Sequence, residues 1–469
     1  MADSGLLAPV YAGQPITRLV DDDAWVRAMV DVEVALARSQ ARLGIVPENA
    51  AVTIAAVAEQ FALDAAMLAI ASRGAANPVV ALVDHLTRAV AETDTYSANF
   101  VHRGSTSQDI FDTAAMLVAT RALQAILEDL ARIAAALARL ADAYRDTPIA
   151  GRTLGMHAVP TTFGAKVAGW LTAILDAHHR VAPLAGGGLP VQLGGAAGTL
   201  AAYVESARTT NPEITGQTIT TSLTTEFARE LSLTAPPVPW HTNRIPIADI
   251  AGVLAMVSGM LGKLAADTID LSRTEIAEVH EPIVAGRGES SAMPQKRNPT
   301  LGTMIRAAAQ QVPGLAATLH LSMIADHERP AGAWHAEWQP LRECLLLAGG
   351  AASTAVELTE GLVVDTDRMR INLDLTNGQI LTERLSAVLA PLLGKPTAKK
   401  RLQAASFEAE RSHRPLSAIL AEDAEIRMHL TIEDIDQLLD PTHYLGAAPA
   451  IVDLALARYT FLLGDVGAK

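Results

Sequence analysis

Cysteine, aromatic residues and clusters of positive charge are scarce in this 469-residue sequence. The single cysteine, Cys344, cannot form an internal disulfide, which excludes a disulfide-stapled extracellular domain and suits a reducing cytoplasm. Aromatic residues make up 4% of the chain, the net charge is −14, and Lys and Arg form no long run. Binding to nucleic acid, which needs focused positive charge, is therefore not expected.

Signals for targeting and for cofactors are absent as well. The N-terminus lacks a basic region followed by a long apolar stretch, so no secretory leader is predicted. The longest uncharged stretch, residues 182–204, holds six glycines and two prolines, which argues against a membrane span. No zinc-type histidine spacing, phosphate loop, dinucleotide fingerprint or Gly-x-Ser-x-Gly elbow occurs. We therefore expect a cytoplasmic protein with no membrane partner, metal or cofactor.

Alanine, leucine and helical periodicity are abundant instead. Hydrophobic residues make up 50% of the chain, and Ala and Leu are strong helix formers. A long amphipathic helix is predicted over 113–144, because large apolar residues recur there in steps of three and four. Further long helices are predicted over 246–273 and 159–182, after residue 299 and over 340–361. The sequence predicts an all-α fold with a bundle of about five long helices.

The length favours about three domains. Residues 1–110 are predicted to form an N-terminal domain of shorter helices, residues 111–363 the central long-helix bundle, and residues 364–469 a smaller helical C-terminal domain. Periodicity predicts helices and not chemistry, so a helical scaffold without activity stays open on this evidence.

Polar stretches interrupt the apolar pattern at four places. The first, FVHRGSTSQDIFDTA, places a cluster of polar side chains before the long helix: Ser105, Thr106, Ser107 and Gln108. Free amides at a helix start can hold an anion. Ordinary capping by Ser107 or Asp109 is the alternative.

The second stretch, GRTLGMHAVPTTFG, carries Arg152 and His157 before a predicted helix, although a lone histidine is more often structural than catalytic. The third offers Gln192, His241 and Arg244 near glycines that suit a helix corner.

The fourth stretch, GRGESSAMPQKRNPT, begins at residue 286. Its Asn298-Pro299 pair predicts the start of a helix. Residues 286–297, called the polar loop below, are expected to form either a mobile loop that closes over a site or a solvated surface loop.

Together these stretches resemble the motif regions of the fumarase/aspartase superfamily. SSAMPQKRNP resembles the superfamily's signature loop, and the first two stretches resemble its other motif regions, in the expected order. Within the superfamily, the segments QLGGAAGTLAA, PWHTNR, HERPAGAWHAEW and DPTHYLGAA are most similar to the bacterial 3-carboxy-cis,cis-muconate cycloisomerase family. The resemblance covers nearly the whole chain.

This resemblance implies three helical domains and a homotetramer with a twenty-helix core, in which three subunits share each active site. The implied reaction interconverts the tricarboxylate 3-carboxy-cis,cis-muconate and 4-carboxymuconolactone, in protocatechuate breakdown by the β-ketoadipate pathway. A base removes the proton next to a carboxylate, and the ring carboxylate leaves from the β carbon. Donors and cations must stabilise the dianionic aci-carboxylate.

The resemblance also implies roles for individual residues. Ser290 matches the catalytic base or acid, and a serine hydroxyl needs loop amides and positive charge to act as a base. Lys296 and Asn298 match the residues that bind the substrate carboxylate in the family. Lys296 could also activate Ser290. The second anion-binding site of the family matches the cluster Ser105, Thr106, Ser107 and Gln108. The histidines that line its cleft match His102 and His157. Weaker matches for the remaining carboxylates are Gln192, Arg244 and Arg329.

Three departures from the superfamily pattern bear on the substrate. Leu154 stands where related lyases have a histidine, and leucine cannot shuttle a proton. An amine leaving group needs protonation, whereas a carboxylate leaves without it. Leu154 therefore favours lactone chemistry over a C–N lyase such as adenylosuccinate lyase. Glu289 in place of glycine and Met156 in place of glutamine keep a shifted substrate open, such as a substituted succinate.

Overall fold

Helices dominate the computed structural model, which describes residues 5–293 and 295–464. Two parts of the predictions lie outside the described residues: residues 1–4, at the N-terminus for which no secretory leader is predicted, and Pro294 of the polar loop. The all-α prediction is confirmed, and the sheets in the described chain are two small two-stranded antiparallel sheets, of which the first is a hairpin.

The elements follow one another in a nearly uninterrupted series of helices. In chain order they are α1 (Ile16–Val20), α2 (Asp22–Arg42), α3 (Glu48–Gln60), α4 (Ala65–Ala75), α5 (Val79–Thr93), α6 (Thr95–Ala98), α7 (Ser107–Ala143), β1 (Pro148–Thr153), β2 (Met156–Thr162), α8 (Phe163–Pro183), α9 (Ala201–Arg208), α10 (Gly216–Thr218), α11 (Thr224–Leu231), α12 (Ile245–Leu271), β3 (Val279–His280), α13 (Thr300–Leu321), α14 (Ala333–Glu360), β4 (Val363–Val364), α15 (Thr366–Asp374), α16 (Thr382–Leu393), α17 (Lys395–Ser412), α18 (Leu416–Glu422), α19 (Ala424–Arg427), α20 (Ile432–Leu438) and α21 (Ala448–Leu463). Short π-helical turns lie at Leu184–Gly188 and Ile219–Leu223, and 3₁₀ turns at Gln379–Leu381 and Pro441–His443.

The long helices occupy the segments in which the apolar periodicity predicts them. The predicted apolar positions of α7 that are completely buried, with 0% exposure, are Leu123, Ile126, Leu130, Ile133 and Leu137. In α12, Ile250, Leu254, Val257 and Leu261 are likewise 0% exposed. Helix α7 begins at Ser107 rather than at residue 113, because the polar residues before the apolar repeat already have helical conformation. The apolar stripe therefore fixes which face is buried, but it does not fix where the helix begins.

The prediction of a helix over 159–182 is wrong for its first residues. Strands β1 and β2 pair in antiparallel register, with Ile149 opposite Thr161 and Arg152 opposite His157. Leu154 and Gly155 join them with φ values of 51° and 83°, and two positive φ values are typical of a type I′ hairpin turn. Helix α8 starts only at residue 163. A leucine in a position that favours glycine or asparagine hides this turn from sequence reading.

Contacts within the chain divide it into two compact units. Unit 1 comprises residues 1–130, 177–262 and 304–354, and unit 2 comprises residues 131–176, 263–303 and 355–469. Five long helices (α7, α8, α12, α13 and α14) contribute residues to both units. The sequence-based division at residues 110 and 363 stays a prediction.

In unit 2, one apolar cluster joins C-terminal helices and a second holds the first hairpin. One cluster joins α16, α17 and α18 through Leu389, Leu402 and Leu420. The other packs Ala150 of β1 against Leu373 and Leu381, which fixes the first hairpin to the segment around α15. Because Ala150 is completely buried, this end of the hairpin has a defined position.

Among the described residues, two helices are long and apolar enough to cross a membrane, judged by length and composition alone, and the bent pair α4 and α5 would make a third if it formed one span. In α7, 78% of the most apolar stretch is buried inside the protein, so its hydropathy is that of a core helix. In α12, only 39% of that stretch is buried, which leaves an apolar face uncovered.

Candidate active site

The start of α7 is organised by the buried carboxylate of Asp109 in unit 1. Asp109 is 0% exposed. It accepts hydrogen bonds from Thr106 N (3.3 Å), Gly194 N (2.8 Å), Gly195 N (2.9 Å), Tyr203 Oη (3.0 Å) and His241 Nε2 (2.9 Å). The contact with Thr106 N is half of a capping box, in which Thr106 stands at the N-cap and Asp109 at the third helical position. With five donors, Asp109 ties the helix start to two other segments.

Two of these donors, Gly194 N and the Tyr203 hydroxyl, depend on their buried surroundings. A Cβ atom at Gly194 would lie 2.7 Å from His241 Cε1, so a glycine is needed for the backbone to pass the imidazole. Burial and the neighbouring Asp109 charge raise the pKa of Tyr203 well above its usual value, so its hydroxyl stays protonated and donates. The glycine-rich corner is therefore as close-packed as the sequence predicts.

Arg329 lies beside the predicted anion-binding cluster. Its Nε donates to Gln108 Oε1 at 3.0 Å and its Nη2 donates to Thr106 Oγ1 at 2.8 Å. A longer bond of 3.4 Å joins Nη2 to Ala196 O. Thr106 and Gln108, predicted to bind the substrate directly, thus hold a half-buried cation in this structure. Ser105 and Ser107 flank Thr106 and are half-buried.

Arg244 and Gln192 lie inside unit 1. The Arg244 guanidinium forms paired hydrogen bonds with Asp112, at 2.7 and 3.0 Å, and with Glu337, at 2.6 and 3.0 Å. These partners and its 2% exposure leave no donor of Arg244 for a substrate in this conformation. Gln192 accepts a bond from Trp240 N at 2.9 Å, and its buried Nε2 has no partner in the part of the chain described. Their predicted contacts with substrate stay predictions.

His102 pairs with a buried carboxylate. Its Nδ1 lies 2.6 Å from Glu33 Oε1, and the Glu33 side chain is 1% exposed. Burial by itself lowers the pKa of His102, but the charge of Glu33 and its hydrogen bond raise the pKa more, so the net shift is upward. His102 also has a left-handed backbone with φ of 56°, which is uncommon for a residue other than glycine. This histidine is therefore well placed to carry a positive charge.

The first hairpin carries His157 in unit 2. Burial, and then the charge of Arg152, lower the pKa of His157 despite an opposing effect of Glu278. At neutral pH His157 is therefore uncharged and can accept a proton but has none to donate as an acid. Leu154, at the tip of the hairpin, is fully exposed.

An ion pair that the sequence reading missed holds this hairpin. Arg152 Nη1 and Nη2 donate to the two oxygens of Glu278, both at 2.8 Å, and Asn372 Nδ2 donates to Glu278 Oε1 at 2.8 Å. Glu278 is completely buried. It belongs to the segment AEVHEP before the polar loop. The residues around it in the sequence give no signal that its partner is Arg152, which is distant in the chain.

The polar loop presents Ser290 with two backbone donors. Ala292 N and Met293 N donate to Ser290 Oγ at 3.4 and 3.2 Å. Donors aimed at this oxygen stabilise negative charge on it, which is what a serine base needs. Lys296 is exposed in the same loop, so its side chain is accessible to a ligand.

Two further contacts hold the polar loop, one from Asn298 just after it and one from Glu289 within it. Asn298 Nδ2 donates to Gly288 O at 3.3 Å, next to a backbone bridge between Glu289 and Arg297. The Glu289 carboxylate accepts a bond from Gly286 N at 3.2 Å, so it serves the turn of the loop.

Glu281 closes the end of the polar loop region by capping α13. Its two oxygens accept bonds from Leu301 N at 3.0 Å and Gly302 N at 2.7 Å, two of the free amides at the start of the helix. Burial raises the pKa of Glu281, although these amide bonds oppose the shift. The helix predicted to start at the Asn298-Pro299 pair does begin at residue 300, but a glutamate from before the loop satisfies its amides.

The predicted site residues thus form two groups, each described within its own unit. Unit 1 contains His102, Ser105, Thr106, Ser107, Gln108, Gln192, Arg244 and Arg329. Unit 2 contains His157, Ser290, Lys296 and Asn298. The roles assigned to them from the resemblance stay predictions.

Comparisons with known proteins show the family of the chain. A family model described as "Lyase" matches residues 8–314, and one described as "Adenylosuccinate lyase C-terminus" matches residues 378–455. The nitrosuccinate lyase of Streptomyces davaonensis is 57% identical, over 97% of this chain and 95% of that protein. The 3-carboxy-cis,cis-muconate cycloisomerase of Pseudomonas aeruginosa is 41% identical, over 96% of this chain and 95% of that protein.

A solved structure shares the fold over its whole length. The 3-carboxy-cis,cis-muconate lactonizing enzyme from Pseudomonas putida superimposes with a TM-score of 0.88 at 37% identity, covering 98% of this chain and 99% of that one.

Proposed function

The chain belongs to the fumarase/aspartase superfamily of lyases, and we propose that it eliminates a weakly basic anion from a substituted succinate, with nitrosuccinate as the first candidate substrate. The observation that carries this proposal is the 57% identity to a nitrosuccinate lyase across nearly the whole chain. It develops the alternative of a substituted succinate that Glu289 and Met156 keep open. The donor pattern around Ser290 supports it, because proton abstraction next to a carboxylate needs a base.

In the proposed reaction, Ser290 removes a proton from the carbon next to one carboxylate of nitrosuccinate. The electron pair moves into that carboxylate and forms a dianionic aci-carboxylate. When the pair returns, the carbon–carbon double bond forms and the C–N bond breaks. Nitrite leaves with the electrons of that bond, and fumarate remains. Lys296 and Asn298 stabilise the intermediate by charge and hydrogen bonding.

The leaving group explains why no acid is needed. Nitrite, like a carboxylate, is the anion of a moderately strong acid and leaves without a proton. Leu154 cannot supply one, and the lowered pKa of His157 leaves it uncharged at neutral pH. An amine would need a protonated donor to leave, and beside Leu154 and uncharged His157 only His102, which is paired with Glu33, is left for that role, which weighs against an adenylosuccinate lyase activity.

Cycloisomerisation of 3-carboxy-cis,cis-muconate is the second candidate. The relative at 41% identity and the solved structure with a TM-score of 0.88 support it. Lactone opening uses the same proton abstraction and expels a carboxylate, so the same residues serve both reactions. The two candidates differ in the number of carboxylates, since the lactone's tricarboxylate partner needs one more cation or amide than a succinate does.

We also propose that the chain acts as a homotetramer whose active sites take residues from three copies. The incompletely buried apolar stretch of α12 supports this, because an apolar face of a long helix favours a partner surface. Light scattering of the purified protein tests it, and a monomer with full activity would contradict it.

A three-substrate assay tests the function. Nitrite release and fumarate absorbance are measured with nitrosuccinate, loss of the conjugated-diene absorbance with 3-carboxymuconate, and fumarate release with adenylosuccinate. We expect the highest kcat/KM for nitrosuccinate. A higher kcat/KM for 3-carboxymuconate would favour the second candidate, and turnover of adenylosuccinate alone would refute both.

The matched pair Ser290→Ala and Ser291→Ala tests the base. These neighbouring serines share the polar loop, but among the described residues only the Ser290 hydroxyl accepts the two amide bonds. Ser290→Ala should lower kcat by about a hundredfold to ten-thousandfold, the usual contribution of a catalytic base. Ser291→Ala should retain activity, and equal losses in both variants would contradict the assignment.

A further inference from the structure

The amide of Gln108 has one defined orientation. Its Nε2 donates to Asp112 Oδ2 at 3.1 Å and to His241 O at 2.9 Å, while its Oε1 accepts from Arg329 Nε at 3.0 Å. A flipped amide would place NH₂ against the guanidinium and oxygen against two acceptors. The oxygen of this completely buried side chain therefore faces Arg329 because acceptors occupy its other side.

Asp112 is held as firmly as the amide that it orients. Its carboxylate accepts from Arg244 Nη1 at 2.7 Å, Arg244 Nη2 at 3.0 Å and Trp334 Nε1 at 2.9 Å, in addition to Gln108 Nε2. Each oxygen thus faces two donors, and Asp112 is 1% exposed. Arg244, in turn, is held from its other side by Glu337.

Half-buried Arg329 is the outermost member of this series of contacts. Its Nε and Nη2 are used by Gln108 and Thr106, whereas its Nη1 makes no hydrogen bond within the described residues. An arginine fixed along one edge can offer its other donors to a carboxylate with little loss of side-chain freedom.

We propose that Asp112 is a positioning residue for substrate binding. It fixes the Gln108 amide, whose oxygen fixes Arg329 so that Nη1 is available to a carboxylate of the substrate. Asp112 itself does not touch the substrate. The inference rests on the proposed function, because it takes the substrate to be a succinate-type polyanion.

The variant Asp112→Asn tests this through donor geometry. All four contacts of Asp112 come from donors, so the new NH₂ group must face either Gln108 and Arg244 or Trp334 and Arg244. Glu337→Gln is the matched control, since it removes one charge from the same buried Arg244 without touching Gln108. Both variants should lower the melting temperature, so stability alone does not separate them.

Kinetics separate the two variants. A carboxylate held equally in the ground and transition states contributes to KM and not to kcat. Asp112→Asn should raise KM for nitrosuccinate and the inhibition constant of fumarate about tenfold, with kcat changed less than about threefold. Glu337→Gln should keep both constants within about twofold of the wild type. Equal changes in the two variants, or none in Asp112→Asn, would overturn the proposal.

A second measurement needs no turnover. In a crystal structure of full-length Asp112→Asn, the Arg329 guanidinium should have left Gln108 and Thr106, and an unmoved Arg329 would overturn the proposal. If Asp112→Asn does not fold, Gln108→Met removes the same acceptor and should show the same rise in KM; an unchanged KM would refute the inference. Failure of the wild type to turn over any substrate would instead refute the proposed function, and the position of Arg329 would still decide the positioning role.

Discussion

Replacing Glu278 by Gln should loosen the hairpin that carries His157 by about 3 kcal/mol. Glu278 is completely buried, and the Arg152 side chain is 12% exposed. Removing one partner of a buried ion pair costs about 3–5 kcal/mol, because the remaining charge is left without a counter-charge. We take the lower end of this range, since glutamine has the same shape and keeps one acceptor for Arg152 or Asn372.

Amide hydrogen exchange of the full-length protein measures this loosening locally. A loss of about 3 kcal/mol corresponds to roughly a hundredfold higher population of the open hairpin. Exchange in peptides covering residues 148–162 should accelerate by that factor. Peptides from α2, which belongs to unit 1, provide an internal reference in the same experiment.

Two further variants make the test specific. Glu360→Gln removes a carboxylate of the same unit that pairs with Arg132, but these side chains are 39% and 57% exposed, so exchange should hardly change. Arg152→Met combined with Glu278→Leu removes both charges and should restore much of the protection. An unchanged hairpin in Glu278→Gln, or a double variant as loose as the single one, would refute the reasoning.

Three other predictions concern Lys296, Leu154 and Glu33. Lys296→Gln should raise KM for a dicarboxylate about tenfold through loss of a charge-assisted contact, measured by steady-state kinetics; an unchanged KM would contradict its role. Leu154→Gly should stabilise the hairpin by about 1 kcal/mol, because glycine adopts the positive φ without strain; exchange in residues 148–162 checks this, and faster exchange would contradict it. Glu33→Gln should lower the melting temperature more at acidic than at alkaline pH. The raised pKa of His102 gives stability that is present below the ordinary histidine pKa and lost as pH rises through the folded value, so a pH-independent loss would contradict the pairing.

Much of the fold can be predicted from the sequence because long amphipathic helices repeat one signal many times. The buried stripe of α7, from Leu123 to Leu137, is an example. The hairpin 148–162 could not be predicted in this way. Its strands are short, its turn uses Leu154 where glycine or asparagine is usual, and its stability comes from Glu278, which is distant in the sequence.

The candidate site, like the fold, has a part that the sequence predicts and a part that it does not. Ser290, Lys296 and Asn298 belong to one short motif, so the sequence places them together. From the sequence, Asp109 is predicted only as a helix cap and Asp112 is not singled out, because the organising role of a buried acid is defined by donors from several segments. Arg244 shows the reverse case. The resemblance predicts that it binds substrate, but no pattern in the sequence indicates its hydrogen bonds to the buried acids Asp112 and Glu337.

The cap that Glu281 places on α13 has a consequence for engineering. Since Leu301 and Gly302 receive their acceptor from a residue before the polar loop, the first turn of the helix does not depend on what the loop contains. Residues 286–297 can therefore be exchanged as a cassette between homologous enzymes, with the junctions kept at Glu281 and Asn298. Such chimaeras would transfer a whole catalytic segment while the scaffold beneath it stays intact.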